Sequence, residues 1–211
     1  KFTRNLLLFA VMSAFLGFFL HYGFINLFRI RYSEVAQFSM YYPLFIAVMF
    51  MLIYFTEKVL VHNILYSYDS PYSLVLLPLG VIVSLILAAI GTLVLKRIGH
   101  ANPLPFLLLI GITKIVYEIV KNAIQLPSVR TLYRALDIRF LQIIFPRIEG
   151  TAVMVGLILA GGIIFGLHSY INRIIYLIAV GVGLSLIWFY FAVRMVKHYK
   201  KALQNTYRKL R

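Results

Sequence analysis

Six long apolar runs constrain this chain more than any other feature: about Asn5 to Phe28, Val35 to Phe55, Ser73 to Leu95, Leu104 to Leu126, Gly150 to Leu167 and Ile174 to Met195. Each comes close to the roughly 20 residues that cross the hydrocarbon core of a bilayer. Hydrocarbon offers backbone N–H and C=O groups no water, so a spanning segment must satisfy them internally or within a closed barrel. The runs lack the alternating polar pattern of barrel strands, which leaves helices. The expected fold class is all-α, a polytopic transmembrane helix bundle of six spans over residues 1–195. A cytoplasmic interfacial loop is expected at 127–149 and a basic amphipathic tail at 196–211.

Cations orient such a bundle. Lysine and arginine number 21 against 6 acidic residues. Five of the cations, Arg29, Arg31, Lys96, Arg97 and Arg173, fall on one side of the six spans; 14, the basic tail among them, fall on the other. Cytoplasmic loops carry the cationic excess, so both termini are expected in the cytoplasm, and the chain in a bacterial inner membrane with the lipid bilayer as its first partner. The same placement accounts for the basic balance without nucleic acid, for which no motif with interleaved aromatics exists outside the spans. The chain begins at Lys1 with no short apolar region before a small-residue cleavage site. It is therefore expected to lack a signal peptide and to be a piece of a longer polypeptide.

The fourth run breaks the pattern. "TKIVYEIVKNAIQL", Thr113 to Leu126, carries Lys114, Glu118 and Lys121 inside a span. Spacings of four and three put all three on one helical face. A charge at mid-depth costs at least about 2.5 kcal/mol even on lenient insertion scales, so such residues face a bundle interior or a watery cavity. Two readings stay open. Lys114 and Glu118 form an internal ion pair, or the stripe is a cationic element of a solute cavity. Pairing neutralises two charges only, which leaves Lys121 to reach toward the interface or to attract an anion. The candidate substrate-binding residues are Lys114, Glu118 and Lys121.

Small residues suggest how the helices meet. Gly80, Ser84, Ala88 and Thr92 repeat every four positions in the third run; Gly156 with Ala160, and Gly162 with Gly166, do so in the fifth. Such ridges let helix backbones approach closely where lipid is as apolar as leucine. They serve either tight packing or sliding. Pro43 and Pro78 each delete a backbone donor inside a span and favour a kink. Tyr41 and Tyr42 before Pro43 line either a cavity or the lipid interface.

Several stretches carry a resemblance. "KIVYEIVKNAIQLPSVRTLYRALDIRF" followed by "RIEGTAVMVGLILAGG" is similar to the C-terminal half of the ATP/ADP translocase family, a branch related to the major facilitator superfamily. "FLHYGFINLFRIRYSEVAQFSMYYPLF", "LVLLPLG" and "VRMVKHYKKALQNTYRKLR" resemble the same family in the same order. The resemblance implies a major-facilitator-like half: six helices of a twelve-helix protein, with a solute site between the halves. Some relatives carry HEAT-repeat or nucleotide-sensing domains after the last helix, and the tail resembles the junction into them. The chain departs from the family at His21, where an acidic residue often stands. It also lacks the glycine-rich basic signature of ordinary facilitators between Thr56 and Tyr72. No family substrate residue is carried over to this chain.

In the loop, Leu132, Leu136, Phe140 and Ile143 recur near a 3.6-residue period, which predicts an interfacial helix ended by Pro146, lying on the membrane or gating the other half. From Arg194 onward there are seven cations and no acid, while Val196, Tyr199, Leu203 and Leu210 recur at helical spacing. That tail suits an anionic leaflet, a downstream domain or a protein partner. No cysteine is present. The five histidines, His21, His62, His100, His168 and His198, never fall at a metal-binding helical spacing, so no metal is expected. Phosphate-loop and nucleophile-elbow motifs are absent too, and neither a cofactor nor an enzyme activity is expected.

Two functions follow. The first is half of a transporter for a small anionic solute, nucleotide-like by the resemblance, completed by a second six-helix half or a homodimer partner. The second is a transporter-derived membrane anchor or scaffold that holds a cytoplasmic domain or partner complex and moves no solute.

Overall fold

The apolar runs become helices in the computed structural model, which describes residues 2–61, 70–98, 104–125, 128–129, 138–166 and 174–210. Six α-helices follow in order: α1 (Phe2–Arg31), α2 (Val35–Thr56), α3 (Ser70–Arg97), α4 (Leu104–Ile119), α5 (Ile138–Gly166) and α6 (Ile174–Leu210). A π-helical turn, Glu57–Val61, continues α2, and another, Val120–Gln125, continues α4. Among the described residues there is no strand. Five of the helices are long and apolar enough to cross a membrane, as an integral membrane protein requires. The exception is α4, whose 16 residues reach spanning length only with the 6 of its π-helical turn.

Contacts fix the directions. Gly23 on α1 meets Leu177 while Phe9 meets Trp188, so α6 runs antiparallel to α1. Phe24 packs on Phe45 and Phe28 on Phe38, while Ser13 bonds to Gln125 and Phe24 lies beside Gly111, so α2 and α4 do the same. Gly156 of α5 abuts Ala14. Successive helices alternate, and α1 begins at the end of the bundle where α6 finishes.

The core forms around α1. Leu6, Phe9, Leu16, Phe19, Leu20 and Phe24 are buried against α4, α5 and α6, and Trp188 sits fully buried between Phe9 and Tyr117. Lipid tails compete equally well for apolar side chains, so close backbone approach and interhelical hydrogen bonds must supply the association energy. Both are present. A Cβ on Gly156 would lie 2.8 Å from the backbone nitrogen of Phe15, so glycine alone permits that crossing. Ser73 and Ser128 share a hydrogen bond of 2.6 Å, tying the start of α3 to the chain beyond α4.

One sequence expectation changes here. The helix over 138–166 is continuous through Pro146, so the expected stop is not observed. Proline removes a single donor, and the other backbone bonds of this 29-residue helix carry it through. Residues 127 and 130–137 of the loop, Leu132 and Leu136 among them, lie outside the described residues. The tail is helical, as its spacing predicts, and continuous with α6, which runs for 37 residues, about 55 Å at 1.5 Å per residue, well past a hydrocarbon core of about 30 Å. Pro43 and Pro78 interrupt neither of their helices. In the third run's ridge, Ala88 and Thr92 are buried, and in the fifth Gly156 and Ala160 are; a Cβ on Gly162 or Gly166 would meet nothing within 4 Å among the described residues.

A candidate charged cleft between four helices

On α4, residues four apart stand one turn above each other, and here that places Lys114 Nζ 3.0 Å from Glu118 Oε1. The Lys114 side chain is 3% exposed and that of Glu118 19%. Asn122 donates to the Glu118 backbone carbonyl at 2.9 Å and reaches its second carboxylate oxygen, Oε2, at 3.4 Å. Each oxygen of the acid thus has a partner, and neither partner is Lys121. The ammonium of Lys121 instead lies over the Tyr117 ring, 5.8 Å from its centroid, with no carboxylate within 4.0 Å among the described residues.

Tyr117 anchors this arrangement to α1. Its hydroxyl donates to the Ser13 carbonyl at 2.6 Å. Gly17, one turn further along α1, leaves the space: a Cβ there would overlap the phenol oxygen. Ser13 also donates from Oγ to Gln125 Oε1 at 2.7 Å, so two bonds pin α4 and its π-helical turn to one turn of α1. π-helical turns are rare and recur at functional sites.

Lys114, Glu118 and Lys121 all line one cleft of about 430 Å³. Its other walls come from Gly17 and His21 of α1, Tyr42 and Met49 of α2, and Val153 of α5. The three residues singled out in the sequence are therefore brought together as their spacing predicts. Of the tyrosine pair, Tyr42 lines this cleft and Tyr41 a separate apolar one. Sequence reasoning did not find Tyr117, Asn122 or Gln125. Their signal was position: Tyr117 and Asn122 flank the charged stripe within one turn. Among the described residues no three acidic or histidine side chains cluster as a metal site.

Lys114 and Glu118 cancel, so the cleft keeps one uncompensated positive charge, that of Lys121. A cleft of this size falls within the range of small-molecule sites. The fold and the cleft together define an all-helical bundle with helices of membrane-crossing length around a buried ion pair and a spare cation. No family model, no curated protein and no solved structure matches the chain.

Proposed function

We propose that this chain is a transporter-fold domain of a bacterial inner membrane, half of a carrier for a small anionic solute, with both termini in the cytoplasm. The observation that carries this reading is Lys121, a cation on a cleft whose neighbouring carboxylate is already held by Lys114 and Asn122. An unpaired intramembrane charge is costly, and an anionic ligand is the natural partner to offset it. By resemblance to the ATP/ADP translocase family the solute is nucleotide-like. A second six-helix half, or a second copy, covers the side on which α2 and α5 flank the cleft, since lipid would solvate the charge poorly. The test is anion uptake by vesicles containing the full-length protein. Lys121→Ala is expected to abolish uptake and leave the fold intact. Wild-type uptake by that variant removes Lys121 from the site.

A second reading has its own support. Lys114, Glu118 and Asn122 satisfy one another, and the rest of the cleft wall is largely apolar, which suits a domain that anchors a cytoplasmic partner and moves nothing. Under that reading the full-length protein takes up no anion, and truncation after Met195 releases a partner that the intact tail retains.

A further inference from the structure

A second cavity, of about 240 Å³, lies beside the cleft and nearer the end where α1 begins. Ala14, Lys121 and Val153 line both, so the two spaces share a wall. Away from that wall the smaller cavity has three polar side chains, Ser13, Gln125 and Glu149. Ser13 occupies the Gln125 carbonyl oxygen, which leaves the amide NH₂ of Gln125 without an acceptor among the described residues. A buried amide is costly unless water or a solute meets its donors.

Lys121 stands on the π-helical turn Val120–Gln125. Such a turn holds one residue more per hydrogen-bonded ring than the α-helix, so exchange between the two registers re-aims the side chains it carries. Resting on the reading of the cleft as an anion site, we propose that the two cavities are successive stations on one path for a small anion, and that Lys121 hands the anion across the wall between them. Gln125 supplies a donor in the outer station. Glu149, exposed at 149 on α5 and part of that cavity's lining, repels an anion there unless the ammonium is beside it. Passage therefore depends on Lys121.

The chain has no cysteine, so once any cysteine outside it is replaced, single thiols report on each space. Phe18→Cys places a thiol on the large cleft only, and Ala10→Cys on the small cavity only. Vesicles of the full-length protein are treated, from the end where α1 begins, with negatively or positively charged methanethiosulfonate. The negative reagent is expected to modify both thiols on the order of tenfold faster, as one unit charge about 10 Å away in a partly aqueous cavity would produce. Ala10→Leu should slow modification of Phe18→Cys, and Ala10→Phe should abolish it. Unchanged modification in either folded variant overturns the path. Lys121→Ala is expected to erase the charge preference at both thiols. If it erases the preference at Phe18→Cys alone, Lys121 serves the cleft only and the hand-over is wrong. If it erases neither, the anion reading of the cleft falls, and the hand-over with it.

Discussion

α1 and α2 are consecutive helices of similar apolar character, yet 56% of the apolar window of α1 is buried inside the bundle and only 11% of that of α2. In water such a difference would be written in hydrophobicity. In a bilayer the lipid tail and the protein core are equally good solvents for leucine, so hydropathy cannot sort inside from outside. Features that lipid cannot match do the sorting. α1 carries Gly17, whose missing side chain admits the Tyr117 phenol, and Ser13, which bonds α4 through both its carbonyl and its hydroxyl. α2 touches α1 through an aromatic edge, Phe45 stacked on Phe24 at 4.3 Å and Tyr42 edge-on to Phe28, and leaves Leu44, Met51 and Tyr54 exposed.

The sharpest way to break this contrast is to unbalance the charge that the inner side shelters. Glu118→Gln leaves the 3% exposed ammonium of Lys114 without a carboxylate, a loss of up to about 3 kcal/mol, at the low end of the range for a buried pair because Glu118 is 19% exposed. Thermal unfolding in detergent should show a large drop, most of it recovered by Lys114→Met in the same chain. A Glu118→Gln protein as heat-stable as its parent would mean that the ion pair does not hold α4 in the bundle and that water in the cleft solvates the Lys114 ammonium. Next in size come the glycine crossings. Gly156→Val forces a side chain against the α1 backbone and should cost about 1–3 kcal/mol by overpacking. Gly162→Val, with nothing within 4 Å, should leave unfolding of the chain unmoved. Equal effects at the two sites would show that α5 does not meet α1 along the Gly156 side. Tyr117→Phe deletes the hydroxyl bond to Ser13 and keeps the ring, a change of about 1 kcal/mol that the same unfolding measurement can read.

Much of this was legible in the sequence, for physical reasons that differ by residue. The helices followed from run length alone. The stripe Lys114, Glu118, Lys121 followed from spacing, since three charges on one face cannot all meet lipid, and the structure lines one cleft with them. Which of the two lysines pairs was not legible: Lys114 pairs with Glu118, and Lys121 lies over the Tyr117 ring instead. Helix ends were misread at Pro146, where an interfacial element was expected and α5 continues. A proline inside a helix deletes one backbone donor, and a helix of 29 residues keeps the others. The bonds among Tyr117, Ser13 and Gln125 join positions more than a hundred residues apart, and no local pattern encodes such a pairing.

The smallest expected effect probes the outer helix. Met51 is 59% exposed on α2, so Met51→Ala should change unfolding of this chain alone by no more than about 0.5 kcal/mol, as surface substitutions do. Phe9, fully buried on α1 against Trp188, provides the opposite extreme, where truncation to alanine opens a cavity and costs about 3–5 kcal/mol. The informative case is the full-length protein. If a second half covers α2, Met51→Ala there becomes a contact deletion, and its cost should rise above that in the isolated chain. If lipid alone covers α2, the two costs should agree. A larger cost in the full-length protein would therefore assign the exposed face of α2 to protein contact, and equality would leave it to the bilayer.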